Sequence, residues 1–170
     1  QNVLQFMGTL GHYVGDAAQP LHTTRHYNGW VGSNPRGFTT SRGFHSWIDG
    51  GFLARRPVDA AVLATRVRHA KPLRTAKLAQ SSPTIFPEAL RFIRAQHELV
   101  VPLYQLDLDG KLTPDRPQAR EGSAFFERQF VTAAEWLGDL WLSAWQEAPP
   151  DTFLRSQLAR RKLPQRPAGS

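Results

Sequence analysis

Through Val58 the chain contains only two acidic residues, Asp16 and Asp49. Each lies four positions after a histidine, as His12-x-x-x-Asp16 and His45-x-x-x-Asp49. Residues at i and i+4 share one face of a helix, so each pair can close on a single metal ion. A third histidine, His22, sits between them in Gln19-Pro20-Leu21-His22. Three imidazoles and two carboxylates make a nitrogen and oxygen donor set, and with zero cysteines no thiolate competes. Such a set suits zinc best, with manganese or iron as the other candidates. A single His/Asp pair at this spacing is ordinarily a solvated surface pair. Two of them, in a stretch otherwise free of acids and with a histidine between, favour a metal site.

Residues 1–17 are expected to form the helix that carries the first pair. Val3, Met7, Leu10 and Val14 recur at spacings of three and four and form an apolar stripe. On a wheel of about 100° per residue, His12 lies about 160–180° from that stripe, on the side of Gln5, Gly8 and Asp16. The helix should therefore bury one face and offer ligating and small residues on the other. Pro20 should stop it and fix the direction of His22. From Ala18 to Phe44 the chain is punctuated by Pro20, Gly29, Gly32, Pro35, Gly37 and Gly43. A loop of that length in a compact domain usually has a function. A short helix near His45–Leu53 then carries the second pair.

The run Gly11-His12-Tyr13-Val14-Gly15-Asp16-Ala17-Ala18-Gln19-Pro20-Leu21-His22, followed by Phe44-His45-Ser46-Trp47-Ile48-Asp49, resembles the zinc-dependent phospholipase C and single-strand nuclease superfamily. The stretch Ala133-Ala134-Glu135-Trp136-Leu137-Gly138-Asp139-Leu140-Trp141 is similar to that family's last core helix. The resemblance implies an all-α protein whose complete site holds three zinc ions. His12 and Asp16 would help hold one zinc, with Asp16 also touching another. His22, His45 and Asp49 would hold a second, with water in the open position. Family members begin with a tryptophan followed by two histidines and an aspartate that complete the cluster. None of these can be placed ahead of Val3 and His12, so the chain is expected to be the C-terminal portion of such a protein. The resemblance also implies export, to the periplasm or outside the cell. No signal segment opens the sequence, which begins with Gln1.

The remaining elements read as helices. One is expected from Pro57 to about His69, with His69 as a charge at its C-terminal end. After a second loop over residues 70–85, a helix opening at Pro87 should carry Leu90, Ile93, His97 and Val101 on one face, with His97 in the core and Pro102 ending or kinking it. Asp107–Gln118 reads as a turn-rich connection. Residues 123–146 form the longest segment, with Phe126, Phe130, Ala134, Leu137, Trp141 and Ala144 at helical spacing. It is apolar almost all round and so is expected to be central and buried. With no competing strand pattern the class is all-α, with one helical domain over 1–147 and a basic, mobile tail over 148–170. His26, in the loop, is a minor candidate to approach the site.

At 170 residues, 41% hydrophobic and with 18 aromatics, the chain can bury a real core, which excludes disorder for most of it. No run approaches the roughly 20 apolar residues that span a bilayer. Net charge is +7, but residues 151–170 hold five basic residues against Asp151 alone and so carry +4 of it. The rest is close to balanced, so the charge permits a polyanionic partner without requiring one. No nucleophilic cysteine, Ser/His/Asp triad or glycine-rich phosphate loop competes with the metal set. The activity that the family resemblance implies is zinc-dependent hydrolysis of a phosphodiester, with hydroxide generated at the metal as nucleophile. Single-stranded DNA or RNA is the first-choice substrate. Asp49 stands where the phospholipase branch has Glu, and the 23 positions from His22 to His45 match the longer gap of the nuclease branch. The alternatives are a phospholipase C acting on phospholipid, and a non-catalytic fragment with one structural zinc. Activity of these 170 residues alone is expected to be weak or absent.

Overall fold

A computed structural model describes residues 2–74 and 84–162. It is mostly helical, as expected, with no strand among the described residues. In chain order the helices are α1 (Asn2–Ala18), a 3-10 turn (Pro20–Thr23), α2 (Phe44–Ser46), a π-turn (Trp47–Gly51), α3 (Phe52–Arg55), α4 (Ala60–Ala64), α5 (Phe86–His97), α6 (Val100–Leu108), α7 (Ala119–Glu147) and α8 (Thr152–Lys162). α1 packs along α7, and α5 packs on α1 and on the 3-10 turn.

The core is aromatic and gathers the long loop as well as the helices. Leu21, Phe38, Phe44, Ile48, Phe52, Leu103, Tyr104 and Phe126 are all buried in one cluster. Tyr104 lies at its centre, with Trp30, Phe38 and Phe44 around it at ring-centroid distances of 5.3, 5.5 and 4.6 Å. Its hydroxyl donates to the carbonyl of His26, and burial pushes its pKa up to about 12. The loop from Ala18 to Phe44 is thus pinned from inside by its own Trp30 and Phe38. Gly122, in the first turn of α7, allows that helix to close on this cluster, because a Cβ there would run into the Lys111 carbonyl and the Phe52 ring.

Several expectations need correction. The helix expected over Pro57–His69 shrinks to Ala60–Ala64, capped by Asp59, whose carboxylate accepts from the N–H groups of Ala61 and Val62. Beyond Val67 the backbone N–H groups turn to α7 instead. Arg68 N–H donates to Glu135, Lys71 N–H to Asp139 and Leu73 N–H to Ser143. Arg68 adds a two-pronged pair to Asp139 at 2.8 and 2.7 Å. His69 therefore ends no helix. Residues 75–83 of the expected second loop lie outside the described residues.

The helix opening near Pro87 divides ahead of Pro102, at Glu98–Leu99. The proline ring would clash with the carbonyl four residues back, and Pro102 instead sits in the first turn of α6. Leu90 and Ile93 are exposed, and α5 packs through Phe92, stacked on Trp136 at 5.0 Å, and buried Gln96. His97 is exposed rather than a core residue. α7 is longer than expected and far less buried. Ala119, Gly122, Phe125 and Phe126 are covered at one end and Asp139, Leu140 and Ser143 further along, but Phe130, Trp141 and Trp145 are exposed. In the tail, Thr152–Lys162 form the helix α8, and residues 163–170 lie outside the described residues.

Candidate metal centre

α1 ends at Ala18 because Pro20 cannot continue it, and the chain turns directly into the 3-10 turn that presents His22. Gln19 makes the junction, its side-chain oxygen accepting from the N–H of Leu21 at 2.8 Å. The α1 end is held from behind by Gln129 of α7, which donates to the Ala18 carbonyl at 2.7 Å and to Gln96 at 2.6 Å. From α5, His97 places its Nδ1 3.0 Å from the Thr23 carbonyl, at the last residue of the same turn. Three helices thus fix the backbone on either side of His22.

His45 and Asp49 come from the α2–α3 region, where the chain forms one π-turn. The N–H of Phe52 reaches the Trp47 carbonyl, five residues back. Widening the turn in this way brings residue i+4 more nearly over residue i than an α-helix does, which draws Asp49 toward His45. Isolated π-turns of this kind are frequent at functional sites. Gly51 permits it, since a Cβ at that position would run into the Trp47 indole. The indole is itself fixed by its N–H donating to the Leu112 carbonyl at 3.2 Å.

These two arms bring three of the five expected ligands together. His45 Nε2 lies 2.8 Å from Asp49 Oδ2, His22 Nε2 lies 2.8 Å from His45 Nε2, and His22 Nε2 is 3.9 Å from Asp49 Oδ2. His22, His45 and Asp49 thus form a group with the composition and convergence to hold a metal ion. Tetrahedral zinc with bonds of about 2.0–2.1 Å requires its donors about 3.3 Å apart, a value bracketed by the three observed separations. Three lone-pair donors facing one another repel unless a cation or a proton sits among them, so the donor set fits the ion.

His12 and Asp16 remain a pair. His12 Nε2 is 3.3 Å from Asp16 Oδ2 on the open face of α1, with the His12 side chain 72% exposed. Asp16 turns its other oxygen to within 3.4 Å of His22 Nδ1. A carboxylate at Nδ1 favours the proton on that nitrogen and leaves Nε2 free to donate its lone pair, the arrangement common behind metal-bound histidines. Asp16 therefore touches both halves of the site. His26 does not join the group. Its ring stacks on Trp30 at 4.0 Å, and its Nδ1 accepts from the Val31 N–H. Burial, then Arg25 and His97, hold its pKa below the usual histidine value.

Beside the donors lies a cleft of about 270 Å³. Asp16, Gln19, His22 and Asp49 form one wall, and Ile48, Leu53, Phe126, Phe130 and Ala133 form an apolar one. Tyr27, half-exposed, makes a T-shaped contact with His45 at a ring-centroid distance of 5.9 Å. Two contributors were missed at the sequence level. Gln19 donates to Asp49 Oδ1 at 2.7 Å, and its only sequence signal is its place immediately before Pro20. The π-turn had a signal in the Gly50–Gly51 pair, which a regular helix disfavours.

Fold and site together define an all-helical protein with a two-histidine, one-carboxylate donor group beside a mostly apolar cleft. Compared with protein-family models, with curated proteins and with solved structures, the chain matches none.

Proposed function

We infer that the chain is a zinc-dependent phosphodiester hydrolase of the phospholipase C and single-strand nuclease type, acting on single-stranded DNA or RNA. The observation that carries this reading is the convergence of His22 Nε2, His45 Nε2 and Asp49 Oδ2 from two separate arms of the chain. Zinc at such a group neutralises phosphate charge and lowers the pKa of water toward about 7. The protein's own part is to hold three donors, from the 3-10 turn and the α2–π-turn segment, beside the cleft. His12 and Asp16 extend the polar wall along α1, where a second ion would find two of its donors. The apolar wall of Phe126, Phe130 and Ala133 and the exposed Tyr27 ring offer flat surface for a nucleobase. A second reading, one structural zinc without catalysis, is favoured by the fact that His12 and Asp16 stand as a pair, without a third donor, among the described residues.

The purified chain should bind close to one equivalent of zinc, and His45→Ala should lose most of it. Elemental analysis showing full retention in that variant would overturn the site. Assays of the zinc-loaded protein on single-stranded DNA, RNA and phosphatidylcholine then separate the substrate classes. Cleavage of the lipid without loss of either nucleic acid would reject the nuclease reading. No turnover of any of the three by a zinc-loaded protein extended upstream of Gln1 would favour the structural one.

A further inference from the structure

Asp49 has two carboxylate oxygens and they face different partners. Oδ2 points into the donor group, 2.8 Å from His45 Nε2. Oδ1 is taken by the side-chain N–H of Gln19 at 2.7 Å. The same Gln19 amide is held at its other end, where Oε1 accepts from the backbone N–H of Leu21. With its oxygen bonded to an N–H, the amide cannot flip without exchanging a donor for an acceptor at both ends, so its NH2 group is aimed at Asp49. The backbone under Gln19 is equally fixed, because the neighbouring Ala18 carbonyl accepts from Gln129 and the Gln19 N–H donates to the Asp16 carbonyl. A rotating exposed carboxylate has thereby become one with a single oxygen to offer.

We propose that Gln19 is the positioning residue of this centre, holding Asp49 as a one-oxygen ligand and joining it through Leu21 to the turn that carries His22. This rests on the zinc reading given above. Gln19 does not touch the ion. It acts on where Asp49 points, and outer hydrogen bonds of this kind typically change metal affinity 10–100-fold.

A double-mutant cycle on zinc affinity, read by competition with a chromophoric chelator, tests the assignment. Gln19→Met keeps the length of the side chain and removes both hydrogen bonds. In the otherwise native chain it should weaken zinc binding 10–100-fold. With Asp49→Ala already present, the residual binding through His22 and His45 should change less than about twofold on adding Gln19→Met, because the group on which Gln19 acts is gone. An equal loss in both backgrounds would overturn the proposal and assign Gln19 to the His22 turn alone. An unchanged affinity in the native background would also overturn it. If the native chain binds no zinc, the metal reading itself fails. Thermal unfolding of the metal-free variants confirms that the folds compared are the same.

Discussion

The two ends of the α1–α7 pair are built from similar residues and behave differently. At the site end, Val14 and Ala18 are buried, Phe125 and Phe126 close the aromatic cluster, and Gln129 ties the last carbonyl of α1 to α5. At the opposite end, Val3, Leu4 and Phe6 of α1 and Trp145 of α7 stand in solvent, each at least 70% exposed. Hydrophobic side chains alone thus do not decide where the molecule is tightly packed. The difference lies in the chain that crosses the pair. The 3-10 turn, the loop to Phe44 and the π-turn all fold over the site end, and their polar bonds converge on the carbonyls and side chains around His22. The part of the molecule that carries the donors is also the part with the best-packed core.

Removing a central member of that core should produce the largest effect. Phe52 is fully buried, follows the π-turn directly and packs on Phe126 at 5.5 Å. Phe52→Ala should cost about 3–5 kcal/mol of unfolding free energy, read by chemical denaturation, and should weaken zinc binding with it. A loss below about 1 kcal/mol would show that the site end is not the cooperative centre.

The sequence carried more of the site than of the packing. Of the five expected donors, His22, His45 and Asp49 were legible as a group because metal donors are few in kind and repeated spacings narrow their geometry, whereas His12 and Asp16 stand as a pair outside it. The all-helical class was legible from periodicity. What failed was the assumption that an apolar stripe is a buried stripe. In α5 the helix half-buries Phe92 and buries Gln96 while Leu90 and Ile93 face out, because its neighbours offer a ring at Trp136 and an amide at Gln129. Partners of that kind are set by tertiary geometry and leave no local period. The shortened α4 failed for the same reason: the backbone N–H groups of residues 68, 71 and 73 find acceptors on a helix roughly 70 residues away.

That strap covers Asp139 and Ser143 of α7, and breaking it should have the second-largest effect. Asp139 is buried and accepts from Arg68 and from the Lys71 N–H. The hydrogen bond from Arg68 is the main reason its pKa lies below the usual carboxylate value. A carboxylate with a depressed folded-state pKa adds stability above its unfolded pKa, near 3.9, and that share is lost as pH falls through the folded value. Asp139→Asn should cost about 2 kcal/mol at neutral pH, discounted because Arg68 is partly exposed. It should also flatten the acid limb of the stability curve below about pH 4. An acid limb identical to that of the native chain would show that the pair contributes nothing to folding.

The smallest effects should come from the open end. Phe6 is 72% exposed and Trp145 81% exposed, so each already meets water over most of its surface and has little transfer free energy left to lose. Phe6→Ser and Trp145→Ser should each change unfolding free energy by no more than about 0.5 kcal/mol. Helix propensity adds little, since Phe, Trp and Ser rank close together in helix interiors. Zinc affinity should be unchanged as well, because neither side chain lies in the cleft or against the donors. Paired denaturation and chelator-competition measurements on the two variants check both statements. A loss above about 1.5 kcal/mol in either variant would mean that this end is packed in solution and that the contrast between the two ends does not hold.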